Sequence, residues 1–188
     1  MNIVLISAST RLNRVSHRVA LFLHKTLVAA GHDVQLLDLA EYQFPIMEEV
    51  LHRHPNPPEG LDRFAALVRG ADAAIFLSPE YNGSYTSALK NAVDYLKEGE
   101  FARKVVGVVS ATTGPLGGMR AAMNMQELVL GVSGFPVPQM LLVGSLPQRF
   151  DEAGNLIDPA FEKSINNFLN SFLWLSEAVV AKKETVAV

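Results

Sequence analysis

The sequence predicts a doubly wound α/β fold, with a five-stranded parallel sheet and helices on both faces. Three observations point to it. Short apolar runs without polar alternation recur along the chain, as in Ala73-Ala74-Ile75-Phe76-Leu77, and strands of that kind are buried on both faces. Segments with helical spacing separate them. Glycine, proline, serine and asparagine punctuate the joins, with no interdomain linker or internal repeat.

The elements follow in order. Asn2 to Ser7 reads as the first strand, and Arg14 to Ala30 as a helix on the spacing of Val15, Val19, Phe22, Leu23 and Leu27, closed by Gly31. Val34 to Leu37 is the second strand. Residues 41–60, with Pro45, Pro55, Pro57 and Pro58, form a loop long enough to be functional or mobile. Leu61 to Arg69 is a short helix stopped at Gly70, and Ala73 to Ser78 the third strand. Ser84 to Lys97 is a helix with Ala88, Leu89, Ala92, Val93 and Leu96 on one face. Lys104 to Ala111 is the fourth strand, Gly117 to Val132 a helix, and Pro138 to Gly144 the fifth strand. Phe161, Ile165, Phe168, Leu169, Phe172, Leu175 and Val179 mark a long last helix. One domain over residues 1–181 is expected, with a flexible tail at 182–188.

Composition narrows the function. The 188 residues suffice for one sizeable core, and 49% apolar with 19% charged residues suits a compact chain. With no cysteine, disulfides, thiolate catalysis and sulfur-ligated metals are excluded, which is compatible with a cytoplasmic location. A net charge of −3 gives no sign of nucleic-acid binding. No apolar run approaches a membrane span, and Met1 to Ile6 lacks the basic leader of a signal peptide. One bias is odd in an acidic chain: Arg11, Arg14, Arg18 and Lys25 precede the first carboxylate, Asp33, and look unpaired.

The most informative stretch is Pro79-Glu80-Tyr81-Asn82-Gly83-Ser84 after the third strand. Pro79 cannot donate to a ladder and ends the strand. Asn82-Gly83 is a turn dipeptide, and Ser84 is placed to cap the next helix. In open α/β sheets, ligands bind at the carboxyl ends of strands near the switch in strand order. The loops after strands one, three and four gather there. In the first, Ser9, Thr10 and Ser16 offer hydroxyls, Arg11 a charge-assisted partner and the helix start free amides, a set suited to one phosphate. The alternative is solvated arginines and a serine cap. The loop has neither Gly-Lys-Ser/Thr nor a glycine triplet, so ATP and dinucleotide fingerprints are absent. The loop from Ser110 to Gly118 carries glycines that permit close approach of backbone to a flat ring, though Gly-Pro and Gly-Gly also mark ordinary turns.

On these residues the chain resembles the NAD(P)H-dependent FMN reductases, a flavodoxin-like group that includes quinone, azo-dye and chromate reductases. The resemblance runs from Ile3 to about Val143. It is carried by Pro79 to Ser84 with Leu89-Lys90-Asn91-Ala92 and Asp94, by Ser9-x-Arg11 with Ser16, and by the loop after Ser110. It implies that Ser9, Arg11, Ser16 and His17 hold the FMN phosphate, with Val15 beside them. It implies that Pro79, Glu80, Tyr81, Asn82 and Gly83 line the flavin edge, mostly through backbone, and that Ser110, Thr113 and Gly114 approach the pyrimidine side. Two positions depart from the family pattern: Ala8 replaces a common glycine, and Thr112-Thr113-Gly114-Pro115 a more glycine-rich run.

The resemblance further implies hydride transfer from NAD(P)H to FMN and reduction of a small acceptor: a quinone, azo compound, metal oxyanion or free flavin. Such chemistry needs no catalytic acid or nucleophile from the protein. A flavodoxin-like electron carrier is the alternative; mild charge and the lack of tryptophan in the three loops count against it. A hydrolase lacks its Gly-x-Ser-x-Gly elbow, and Ser87-x-x-Lys90 lacks the partners of penicillin-interacting enzymes. His52-x-His54 has no clear third ligand, so no metal is expected. Trp174 is expected to pack near the last helix's apolar face. Apolar residues beyond one stripe, Tyr85 and Tyr95 on one helix and Met119, Met123, Met125 and Leu130 on another, suggest a contact with another subunit, and the resemblance implies a homodimer or homotetramer.

Overall fold

A computed structural model describes residues 1–97 and 99–186. The strands β1 (Asn2–Ser7), β2 (Asp33–Asp38), β3 (Ala73–Ser78) and β4 (Val105–Ala111) pair in parallel in the order β2-β1-β3-β4. The fifth position differs from expectation. Two short strands, β5 (Phe135–Pro136) and β6 (Leu141–Val143), fill it, both parallel to β4. Pro136 and Pro138 bear on this, because proline cannot donate to a ladder. The strand order reverses between β1 and β3, which places the crevice at their carboxyl ends.

Alternate residues of the strands feed two cores. Ile3, Leu5, Ile75 and Val109 face α1 (His17–Ala29) and α6 (Glu162–Val186). Val4, Ile6, Phe76 and Val108 face α3 (Leu61–Gly70), α4 (Ser87–Asp94) and α5 (Met119–Gly131). Gly107 lets α6 approach β4: a Cβ there would lie 2.8 Å from Phe168 Cζ. The apolar stripe of α6 is buried as expected from Phe161 to Phe172.

Several expectations are corrected. Helix α1 starts at His17, and α4 at Ser87, three residues past Ser84. The last helix runs to Val186 and so takes in 182–186 of the expected tail; 187–188 lie outside the described residues. Tyr95 and Met125 are buried within the subunit, which removes them from any surface patch, while Met119, Met123 and Leu130 stay exposed. Trp174 is 71% exposed, because it falls outside the buried stripe of α6. The 41–60 segment begins inside the short helix α2 (Leu39–Tyr42) and contains a 3-10 turn, Leu51–Arg53. It is anchored: Asn91 donates to Pro45 O at 2.7 Å and accepts from Met47 N at 2.8 Å, and the Phe44 ring packs against Tyr42, Phe64 and Tyr95.

Candidate functional site

The loops after β1, β3 and β4 enclose a cavity of about 310 Å³ at the sheet's carboxyl edge. Its wall contains Ser9, Arg11, Val15, Ser16, Pro79, Glu80, Tyr81 and Thr113, all expected there, together with Asn13, Arg14, Ala111 and Thr112. His17, Asn82, Gly83, Ser110 and Gly114 stand outside that wall.

The first loop is fixed at its base. Ala8 is fully buried; its N–H donates to Leu77 O at 2.9 Å and its carbonyl accepts from the Thr86 hydroxyl at 2.9 Å. Ser16 precedes α1, yet its hydroxyl makes no capping bond. That Oγ is buried and has no hydrogen-bond partner. A buried hydroxyl left unpaired costs free energy, and an acceptor bound in the cavity would satisfy it. The positive end of the α1 dipole lies at the same place, although Arg18 N–H and Val19 N–H are already taken by Val15 O and Ser16 O at 3.1 Å each.

The cationic segment divides. Arg14 forms a bidentate pair with Asp38, and Arg18 reaches Glu152 at 3.5 Å and Phe150 O at 3.2 Å. Lys25 donates to Ala153 O at 2.8 Å. The expectation that all four cations lack partners therefore fails: the acidic and carbonyl partners come from distant sequence. Among the described residues Arg11 forms no ion pair; its guanidinium lies 5.8 Å over the Tyr81 ring. His17 is engaged elsewhere: its Nδ1 is 3.3 Å from Ser7 Oγ and 3.4 Å from Asp38 Oδ2. Burial pushes its pKa down, against the pull of Asp38.

The second loop is a tight hairpin-like turn. Tyr81 N–H donates to Ser84 O at 2.8 Å and Ser84 N–H returns to Tyr81 O at 3.1 Å. Asn82 at φ 51° and Gly83 at φ 86° sit between them. Positive φ at both central residues is the type I′ pattern that Asn-Gly favours. Ser84 therefore closes the turn, and Thr86 caps α4, accepting from Leu89 N at 3.2 Å. Tyr81 OH meets Ser9 Oγ at 3.1 Å, which links the first two loops.

Helix α5 braces this turn. Arg120 pairs with Glu80 at 2.6 Å, and Asn124 donates to Gly83 O at 3.2 Å and Ser84 Oγ at 3.1 Å. The Glu80 side chain is thus committed to α5, which leaves the loop's backbone for a ligand. Arg120 and Asn124 carried no motif and could be found only from the fold. In the third loop, Gly118 at φ 74° packs on Ser110, so close that a Cβ would lie 2.1 Å from Ser110 Oγ. That contact places the Ser110 hydroxyl behind the loop, where it has no hydrogen-bond partner.

The arrangement offers hydroxyls, one arginine without a carboxylate partner and the positive end of a helix to an anion, and beside them an edge of backbone for a flat group. The sequence profile of the NADPH-dependent FMN reductase family matches residues 1–147. An NAD(P)H-dependent FMN reductase of Pseudomonas aeruginosa is 29% identical over 154 residues, 79% of this chain and 82% of that protein. A quinone reductase of Pseudomonas putida is 31% identical over 155 residues, covering 78% and 79% of the two chains. Among solved structures, the NAD(P)H:(acceptor) oxidoreductase FerB of Paracoccus denitrificans superposes with a TM-score of 0.78 at 22% identity, covering 94% of this chain and 97% of that one. That likeness concerns the fold.

Proposed function

Because the chain belongs to the NADPH-dependent FMN reductase family, we propose that FMN binds in the three-loop cavity with its phosphate on Ser9, Arg11 and Ser16. The enzyme is an NAD(P)H-dependent oxidoreductase with FMN as cofactor. The bound flavin supplies the redox chemistry, taking reducing equivalents from NAD(P)H and passing them to an acceptor. The protein binds and orients. Arg11 and the hydroxyls neutralise and hold the phosphate. The turn at Tyr81 to Ser84, braced by Arg120 and Asn124, presents backbone to the ring edge. Thr112 and Thr113 line the same cavity.

The observation that carries this reading is the buried, partnerless Ser16 hydroxyl in the cavity wall. The acceptor is a small molecule: a quinone, azo compound, metal oxyanion or free flavin. The names of the relatives support the first two. Among the described residues no helix is long and apolar enough to cross a membrane; residence in the cytoplasm is part of the proposal. So is a homodimer or homotetramer formed through the exposed stripe of Met119, Met123 and Leu130 on α5.

Calorimetry with FMN, FAD and riboflavin tests the site. FMN is expected to bind most tightly. Equal affinity for FMN and riboflavin would remove the phosphate assignment.

A further inference from the structure

Arg14 and Asp38 are 24 residues apart in sequence and meet beneath the cavity. Arg14 lines the cavity wall with Arg11, but its charge is already spent. Both terminal nitrogens of its guanidinium fork engage the Asp38 carboxylate. One of them also donates to Ser9 O at 2.9 Å. Asp38 ends β2, its side chain is 4% exposed, and it accepts from Ala40 N at 3.1 Å at the start of α2. The Arg14 side chain is 18% exposed.

We propose that Arg14 and Asp38 form a clasp that positions the phosphate-binding loop without contacting the phosphate. The inference rests on the phosphate site proposed above. Its physical basis is peptide planarity. Holding the Ser9 carbonyl fixes the plane of the Ser9–Thr10 peptide and, on its opposite side, the direction of the Thr10 N–H. Ser9 Oγ, already near Tyr81 OH, is fixed by the same hold. A planar fork locked on a buried carboxylate has little freedom to turn toward a ligand. Arg11, three residues away in sequence and free of carboxylates, is left as the charge for the phosphate. Arg14 is therefore a positioning residue.

The test compares FMN and riboflavin dissociation constants for apoprotein by flavin fluorescence titration, in wild type, Arg14→Lys and Asp38→Asn. Lysine keeps the charge and loses the fork. Asparagine keeps an acceptor for Ala40 N and removes the charge. Both variants are expected to weaken FMN roughly tenfold, the scale of one charge-assisted hydrogen bond, with riboflavin binding unchanged. If Arg14 were a direct phosphate ligand, Asp38→Asn would release it and tighten FMN binding; that result overturns the proposal. Unchanged FMN affinity in both variants overturns it too, as does an equal loss of both ligands, which marks a general effect on folding. Wild-type protein that binds both ligands equally overturns the phosphate site itself, and the clasp's role with it.

Discussion

Replacing Thr86 with valine should unsettle two loops at once. Thr86 is 3% exposed and its hydroxyl serves twice: it accepts from Leu89 N at 3.2 Å, capping α4, and donates to Ala8 O at 2.9 Å, holding the base of the loop after β1. Valine preserves the shape and removes both bonds. Losing an N-cap costs about 1 kcal/mol. Leaving the buried Ala8 carbonyl without its partner costs about 1–3 kcal/mol. The sum of roughly 2–4 kcal/mol is a large share of the 5–15 kcal/mol that holds a typical domain. For a chain of this length it should lower Tm by about 5–15 °C. Urea unfolding of the apoprotein, followed by circular dichroism, gives the free energy directly. Ser84→Ala is the control. Its hydroxyl accepts only from Asn124 at 3.1 Å and closes a turn by backbone, so a cost below about 1 kcal/mol is expected. If Ser84→Ala costs more than Thr86→Val, the assignment of the cap and of the loop anchor is wrong.

Three further outcomes follow from the same geometry. Arg11→Ala should weaken FMN by about 1.5–3 kcal/mol in calorimetry, with a thermal melt within about 2 °C of wild type because the side chain is exposed and unpaired by carboxylate; an unchanged dissociation constant would refute its role. His17 is held with a lowered pKa by burial, so the unfolded chain takes up its proton first as pH falls. Its contribution to stability should be complete above pH ~7 and be lost as pH drops through the ordinary histidine value of about 6.5 toward the lowered one. Urea midpoints at a series of pH values should show this slope, and His17→Gln should flatten it; an identical slope in the variant counts against the mechanism. Light scattering of the FMN-loaded protein should give a multiple of the 20.5 kDa chain mass, reduced by Met119→Glu with Met123→Glu; a monomer mass for the wild type sinks the assembly proposal.

Much of the fold was legible because it is written in local pattern. Apolar runs such as Ala73 to Leu77 can be buried on both faces only in a covered parallel sheet, and the stripe of α6 needs no tertiary information. Asn82-Gly83 announced its turn for the same reason: positive φ at two successive positions is a property of those residues. The misreadings were all about partners. Ser84 and Thr86 are equally good caps by composition; only the closing of the Tyr81–Ser84 turn displaces the helix start to Ser87. Pro138 to Gly144 has the length of one strand, yet only Leu141–Val143 of it pairs with β4.

The sequence by itself determined that strands and helices alternate, that three loops rich in hydroxyls and turn residues follow strand ends at one sheet edge, and that the first of them carries residue types suited to an anion. Those are consequences of residue type and spacing. Which arginine is left without a carboxylate was decided only by the tertiary structure. Arg11 and Arg14 differ little as letters in a chain. Folding brings Asp38 from the end of β2 under the loop and neutralises one of them, while Arg11 is left over Tyr81 without a carboxylate. Charge pairing acts over a few ångströms in space and is indifferent to distance along the chain. A partner 24 residues away is therefore invisible until the sheet has formed.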